Sequence, residues 1–205
     1  MPEYIDEYNT ISKPSEGLFK DKGSKFIAKA FPVGSEIEIK AIQEQLRNEY
    51  HDARHHCYAY MLGADKKVFR ANDDGEPSST AGKPILGQIK SFDLTNVLIV
   101  VVRYFGGTKL GVSGLIHAYK TAAEEALKSA EIIKRTLHDY YILKFDYAAM
   151  NTIMRILKEE NIEQTDQKFD LTCSVIINFR KADTEKVLSK FDRIENLKIE
   201  FIETK

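Results

Sequence analysis

A cluster of carboxylates and hydroxyls lies between residues 73 and 80. Asp73, Asp74 and Glu76 stand almost side by side, and Ser78 and Thr80 follow them. Oxygen ligands at this density are typical of a Mg²⁺ site or of a general acid and base. They are also typical of a solvated turn that caps the next helix and pairs with a basic side chain. We favour the turn, and the Mg²⁺ site is the alternative.

The second candidate site is the glycine-rich segment GGTKLGVSG, which begins at Gly106. Its glycines let backbone N–H groups approach a ligand, its hydroxyls add donors, and Lys109 adds a positive charge. The segment has neither a Gly-Lys-Ser/Thr sequence nor a GxGxxG sequence, so the motif alone is weak support for nucleotide binding. We favour contact with an anion or a phosphate, and the alternative is a tight turn against the acidic segment.

The acidic and glycine-rich segments lie at the ends of elements that flank one apolar strand, so we expect them to be neighbours that line a single cleft. Tyr104 and Phe105 offer stacking faces for RNA bases if they are exposed. The candidate ligand-binding residues are Asp73, Asp74, Glu76, Ser78, Thr80, Lys83, Arg103, Tyr104, Gly106, Gly107, Thr108, Lys109, Gly111 and Ser113.

No residue is assigned to catalysis, to a metal or to a cofactor. The sequence shows no Ser-His-Asp order, no Cys-His pair and no nucleophile elbow. His55 and His56 are consecutive in a predicted strand, which places their side chains on opposite faces. Cys57 and Cys173 are too few and too far apart for a disulfide framework, so we expect both to be structural.

Hydrophobic periodicity predicts the elements that position these residues. The apolar run from Val97 to Val102 is typical of a strand buried on both faces. Apolar residues at helical spacing from Leu115 to Ala126 then indicate a helix. The glycine-rich segment therefore leads into a helix N-terminus, where free backbone N–H groups favour an anion.

The remaining patterns predict two domains in an α+β protein. Up to residue 134 they indicate a hairpin around Lys22-Gly23, a helix capped by Ser35, a strand pair in 55–70 and a helix in 78–92, in the order β-β-α-β-β-α-β-α. Residues 137–205 show the order β-α-β-β-α-β, which is ferredoxin-like. We expect domains at 1–134 and 137–205, each with its own core.

The charge balance limits the choice of partner. The chain carries 30 Lys and Arg against 31 Asp and Glu, with a net charge of −1. Proteins that bind duplex DNA without specificity usually show a clear basic excess, so single-stranded or structured RNA is the more plausible nucleic acid. No signal segment and no apolar run of roughly 20 residues is present, so we expect a cytoplasmic protein without membrane association.

Three segments carry a resemblance to a known family. DDGEPS at 73–78, TAGKPIL at 80–86 and RYFGGTKLG at 103–111 closely resemble signatures of the Impact family, whose bacterial members are the YigZ-like proteins. The resemblance covers the whole chain. It implies an N-terminal domain similar to the second domain of ribosomal protein S-five. It also implies a C-terminal domain similar to a ferredoxin-like domain of elongation factor G.

The resemblance implies a role in translation. Eukaryotic members regulate translation by binding a large activator of the amino-acid-starvation kinase, a partner that bacteria lack. We therefore expect a translation-associated regulatory protein that binds RNA, the ribosome or a translation factor through its Impact domain. One alternative is a Mg²⁺-dependent enzyme acting on a phosphate-containing small molecule, and another is a protein–protein interaction module without nucleic acid. We favour a protein that is not an enzyme.

Overall fold

The computed structural model describes residues 6–170 and 172–205, which form two compact units. The first unit contains residues 8–135. The second contains residues 136–205 together with residues 6 and 7. Asp6 accepts hydrogen bonds from the backbone N–H groups of Leu137 and Ala182, at 2.8 and 2.9 Å, which attaches it to the second unit.

The first unit combines three helices with one large and one small sheet. Its elements are β1 (Glu7–Ile11), β2 (Ser15–Asp21), β3 (Ser24–Pro32), α1 (Glu36–Glu49), β4 (His55–Leu62), β5 (Val68–Asn72), α2 (Gly82–Ser91), β6 (Val97–Tyr104), α3 (Gly111–Lys128) and β7 (Ile132–Thr136).

The large sheet has the order β2-β3-β6-β4-β5, and β6 runs antiparallel to both of its neighbours. Side chains alternate along β6, because successive residues of a strand point to opposite faces. Val97, Ile99 and Val101 pack in the core formed with α2 and α3. Leu98, Val100 and Val102 pack in a second core with α1. The predicted burial of this strand on both faces is confirmed.

Two local predictions were incomplete. The helix expected from Ser78 begins at Gly82, since a turn held by side-chain and backbone hydrogen bonds occupies the preceding residues. The pairing of β1 with β7 was missed. Strand β7 is mostly exposed and carries no alternating apolar pattern, so hydrophobic periodicity gives no signal for it.

The second unit has the predicted ferredoxin-like order. Its sheet has the strand order β11-β8-β10-β9, and all neighbours are antiparallel. One face of the sheet packs on residues of both helices in a single core. Its elements are β8 (His138–Phe145), α4 (Met150–Glu159), β9 (Glu163–Lys168), β10 (Cys173–Arg180), α5 (Thr184–Ser189) and β11 (Lys198–Thr204), with short 3-10 turns at Tyr147–Ala149 and Lys181–Asp183.

Cys57 and Cys173 are free thiols buried in separate units, as expected for structural cysteines. Within the described residues, no helix has both the length and the apolar character needed to cross a membrane.

Candidate functional site

Asp73 caps helix α2 from a distance. Its two carboxylate oxygens accept hydrogen bonds from the backbone N–H groups of Ser79, Ala81 and Gly82, with N···O distances of 2.8, 3.0 and 2.8 Å. These N–H groups lie just before the helix or at its first residue, where no carbonyl oxygen of the helix accepts from them. Burial disfavours the charged form of Asp73, but the three N–H donors outweigh it and hold the pKa of this carboxyl below its usual range.

Asp74 joins the same turn to α1 and β4. Its carboxylate accepts from Arg47 Nη2 at 3.0 Å and from the backbone N–H of His56 at 2.7 Å. The turn requires positive φ at Asp74 and Gly75, 42° and 86°, a region that glycine adopts at little cost. Asp74 therefore positions the acidic turn against the sheet.

Glu76 forms a buried pair with Arg103. Arg103 Nη1 lies 2.5 Å from Glu76 Oε1, and the two side chains are only 7% and 4% exposed. The same oxygen accepts the Tyr119 hydroxyl at 2.8 Å. The expected proximity of the acidic turn and the end of β6 is confirmed, and the contact neutralises Arg103 locally.

Cys57 and Tyr119 extend this network into the core. The Cys57 thiol lies 2.9 Å from the Asp73 carbonyl oxygen and 3.3 Å from the Tyr119 hydroxyl. Burial raises the pKa of both groups well above their ordinary values. Both therefore stay protonated at neutral pH and act as hydrogen-bond donors, and Cys57 is not a thiolate nucleophile.

The carboxylates of the acidic turn do not converge on one point. Asp73 is engaged by backbone N–H groups, Asp74 by Arg47, and Glu76 by Arg103. In the part of the chain that the structure describes, no group of three or more His, Cys, Asp or Glu side chains has the geometry to hold a metal ion. Nothing in this arrangement favours the Mg²⁺ alternative.

A cleft of about 520 Å³ opens beside this network, between the end of β6 and the start of α3, and we call it the β6–α3 cleft. Its positively charged lining residues are Arg54, Arg103 and Lys109. The rest of the lining includes the apolar residues Pro77, Phe105, Leu110, Val112 and Leu115, together with His55, Glu76 and Gly111.

The glycine-rich loop connects β6 to α3 along this cleft. A side chain at Gly106 is impossible without a shift, because its Cβ would lie 1.9 Å from the backbone of Gly23. Gly107 and Gly111 have φ of 87° and 73°. Helix α3 begins without a side-chain cap and without an acidic residue in its first turn.

Four of the predicted ligand residues line the cleft, and the others take different positions. Glu76, Arg103, Lys109 and Gly111 belong to its lining. Thr80 is buried, and its hydroxyl donates to the Pro77 carbonyl at 2.6 Å. The exposed candidates are Ser78, Lys83, Gly106, Gly107, Thr108 and Ser113.

Tyr104 and Phe105 differ in their exposure. Tyr104 packs on the α1 face of the sheet and donates its hydroxyl to Asp52 at 2.7 Å, so the structure separates it from the cleft. Phe105 is 53% exposed, and its ring lies 5.6 Å from the Arg103 guanidinium. Of these two residues, Phe105 offers an exposed aromatic surface to the cleft.

Sequence reasoning missed several residues of this site. Arg54 and His55 line the cleft because His55 pairs in register with Arg103 across β4 and β6. Cross-strand register cannot be read from local periodicity, since it depends on how distant strands align. Tyr119 lies within the apolar helical pattern predicted from Leu115 to Ala126 and packs in the core, but its hydroxyl contact with Glu76 left no sequence signal.

The segment that contains the cleft matches a known protein family. The family described as the Impact N-terminal domain matches residues 22–127, a range that spans β6, the glycine-rich loop and nearly all of α3. Curated bacterial relatives extend the similarity. "IMPACT family member YvyE" of Bacillus subtilis is 35% identical over 155 residues, 76% of this chain and 71% of that protein.

A second relative and a solved structure agree with this match. "IMPACT family member YigZ" of Escherichia coli is 38% identical over 138 residues, 66% of this chain and 68% of that protein. A crystal structure described as a hypothetical protein is 29% identical, with a TM-score of 0.74, and the match covers 97% of this chain and 98% of that one. The chain therefore belongs to the Impact family.

Proposed function

We propose that this protein has a translation-related regulatory role and that it acts by binding RNA, the ribosome or a translation factor through the β6–α3 cleft. Membership of the Impact family supports the general role. The cleft itself is the observation that supports binding. It is concave, it combines apolar surface with cationic side chains, and two of the three segments that carry the family resemblance, 73–78 and 103–111, contribute to its lining.

The charges of the cleft favour a partner that carries an anionic group. Arg103 is neutralised by Glu76, whereas Lys109 and Arg54 are exposed at the cleft. With a net charge of −1 for the chain, attraction to an anion is local to this surface rather than spread over the molecule.

Binding without turnover accounts for the acidic turn better than catalysis does. Its carboxylates cap a helix, fasten the turn to the sheet and neutralise Arg103. A general base or a Mg²⁺ ligand needs a carboxylate that reaches the substrate. The carboxylate oxygens of Asp73 and Asp74 instead accept hydrogen bonds that hold the turn in place.

Co-sedimentation with purified ribosomes tests this function. We expect wild-type protein to sediment with ribosomes, and Lys109→Glu to reduce the bound fraction at every salt concentration. Binding should also weaken as salt rises, because part of it is electrostatic. The matched control is Lys120→Glu, an exposed lysine on α3 outside the cleft lining. Equal loss in both variants would exclude this cleft as the contact surface, and no sedimentation at all would exclude the ribosome as the partner.

A further inference from the structure

The start of α3 offers backbone N–H groups to the β6–α3 cleft. Leu110 has φ −84° and ψ −21°, and Gly111 has φ 73°. A right-handed residue followed by a left-handed one turns successive N–H groups toward one side, which creates a concave site for an anion. No side chain caps this end of the helix, and a Cβ on Gly111 would meet no atom within 4 Å. The backbone is therefore accessible here.

Arg103 supplies an independent observation at the same cleft. Its side chain is only 7% exposed, and its Nε–H has no hydrogen-bond partner among the described residues. A buried donor without a partner costs free energy, so Arg103 retains unsatisfied donor capacity beside the cleft even though Glu76 is its ion-pair partner. Arg103 lines the same cleft as Gly111 and Lys109, so one anionic group there would meet both the helix N-terminus and a basic side chain.

The remaining residues that line the cleft favour a ligand with an apolar group. Val112 and Phe105 are 59% and 53% exposed, and Leu110 and Leu115 form the buried part of the same wall. One turn further along α3, Ile116 is 39% exposed and extends this surface. Aliphatic side chains dominate, which suits an aliphatic ligand group better than a nucleobase.

A nucleobase would find few partners in this cleft. One side of the Phe105 ring already faces the Arg103 guanidinium, and Glu76 Oε1 already accepts two hydrogen bonds. Base recognition relies on stacking and on hydrogen bonds to the base edges. The singly charged carboxylate at the end of a polypeptide, attached to an apolar side chain, matches the lining more fully.

We propose that the β6–α3 cleft binds the C-terminal carboxylate of a partner protein whose last residue is apolar. The carboxylate lies at the N–H groups of Gly111 and Val112 beside Lys109, and the last side chain lies among Phe105, Val112 and Leu115. Capture of a chain end by a backbone concavity is an established mode of peptide recognition. The inference rests on the proposed function in one respect, that the cleft is the binding surface.

Fluorescence anisotropy with synthetic peptides tests this inference on the full-length protein. The probe is a labelled hexapeptide that ends in two leucines with a free carboxylate, and its control is the same peptide with a C-terminal amide. We expect the amide to bind about tenfold more weakly, since a charge-assisted hydrogen bond is lost. Lys109→Gln should weaken the free-acid peptide severalfold, and Val112→Asp should remove its binding. Lys120→Gln should leave its affinity unchanged.

Three outcomes would overturn the inference. They are equal affinity for the acid and the amide, indifference to Val112→Asp, and binding of an oligouridine RNA that competes with the peptide and is lost in Val112→Asp. The assay contains no ribosome, so its result is separate from co-sedimentation. Peptide binding without ribosome binding would reject only the ribosome as the partner in the proposed function, and ribosome binding without peptide binding would reject only the chain-end inference.

Discussion

Glu76 and Arg103 form an ion pair that is almost fully withdrawn from water. Desolvating two charges is costly, and their attraction compensates only when the geometry is good and further hydrogen bonds satisfy the remaining lone pairs. Tyr119 supplies one such bond to Glu76, and the rings of Phe26 and Phe105 lie 5.4 and 5.6 Å from the Arg103 guanidinium. The pair thus joins the acidic turn, the end of β6 and the middle of α3.

Removal of one partner tests this role. We expect Arg103→Met to lower the free energy of unfolding by about 3–5 kcal/mol, because it leaves the Glu76 carboxylate buried without a counter-charge. Adding Glu76→Gln should recover much of this loss, since the amide is neutral and still accepts from Tyr119. Urea denaturation followed by circular dichroism measures both effects.

The control for this experiment is Lys128→Ala, which removes exposed ion pairs with Glu124 and Glu125 and should not change the unfolding midpoint. A loss in Arg103→Met no larger than in this control would contradict the account of the buried pair.

The Asp73 cap predicts a pH dependence of stability. Its folded-state pKa is lowered, so its ionised form stabilises the fold above the unfolded-state pKa of about 3.9. This stabilisation is lost as pH falls through the lower folded-state pKa. At pH 7 we expect Asp73→Asn to lower the free energy of unfolding by about 1–2 kcal/mol, since an amide cannot accept all three N–H groups. The difference from wild type should shrink on acidification below pH 4, and a difference that is constant down to pH 2 would refute the assignment.

The packing of α3 against the sheet depends on the absence of a Cβ atom at Gly17 of β2. A Cβ on Gly17 of β2 would lie 2.2 Å from the backbone N of Ala126, so strand and helix approach as closely as only glycine allows. Gly87 on α2 is the opposite case, because it is exposed and a Cβ there would meet no atom within 4 Å.

These two glycines give a matched prediction. Gly17→Ala should destabilise the protein by about 1–3 kcal/mol, since α3 and β2 must separate. Gly87→Ala should stabilise it by about 0.5–1 kcal/mol, because alanine restricts the unfolded chain and favours the helix. Thermal unfolding of the two variants checks the opposite signs, and shifts in the same direction would contradict the packing described for α3.

Local patterns predicted the elements but not every contact between them. The strand at 97–102 was evident because its side chains are apolar on both faces. Ser35 was recognisable as a helix start because Glu38 follows it at capping-box spacing, and in the structure its side chain accepts a hydrogen bond from the Glu38 N–H at 3.3 Å. The β1–β7 pair joins exposed strands from the two ends of the first unit, and no periodicity reports such a contact. Local periodicity likewise gave no sign that Arg54 lines the cleft, because its position there depends on how distant strands align.

At the scale of the whole molecule, each unit has a core that its own elements can complete. The second unit encloses Leu143, Phe145, Val175 and Ile177 between its sheet and its helices. We propose that it folds as an independent domain.

Limited proteolysis with mass spectrometry tests this independence. We expect early cleavage between residues 130 and 137 and a resistant fragment that covers residues 137–205. Digestion of this region without a persistent fragment would show that the second unit depends on the first.

Contact between the β6–α3 cleft and the translation machinery is the function that we propose for this protein. The most direct measurement is site-specific photo-crosslinking to purified ribosomes, with the crosslinking residue placed at Val112 in the cleft. The control position is Leu18 on β2, which is 49% exposed in a different pocket lined by Lys25, Ile27 and Tyr50. We expect a discrete crosslink to a ribosomal component from position 112 and none from position 18. Crosslinks from position 18 alone, or from neither position, would contradict it.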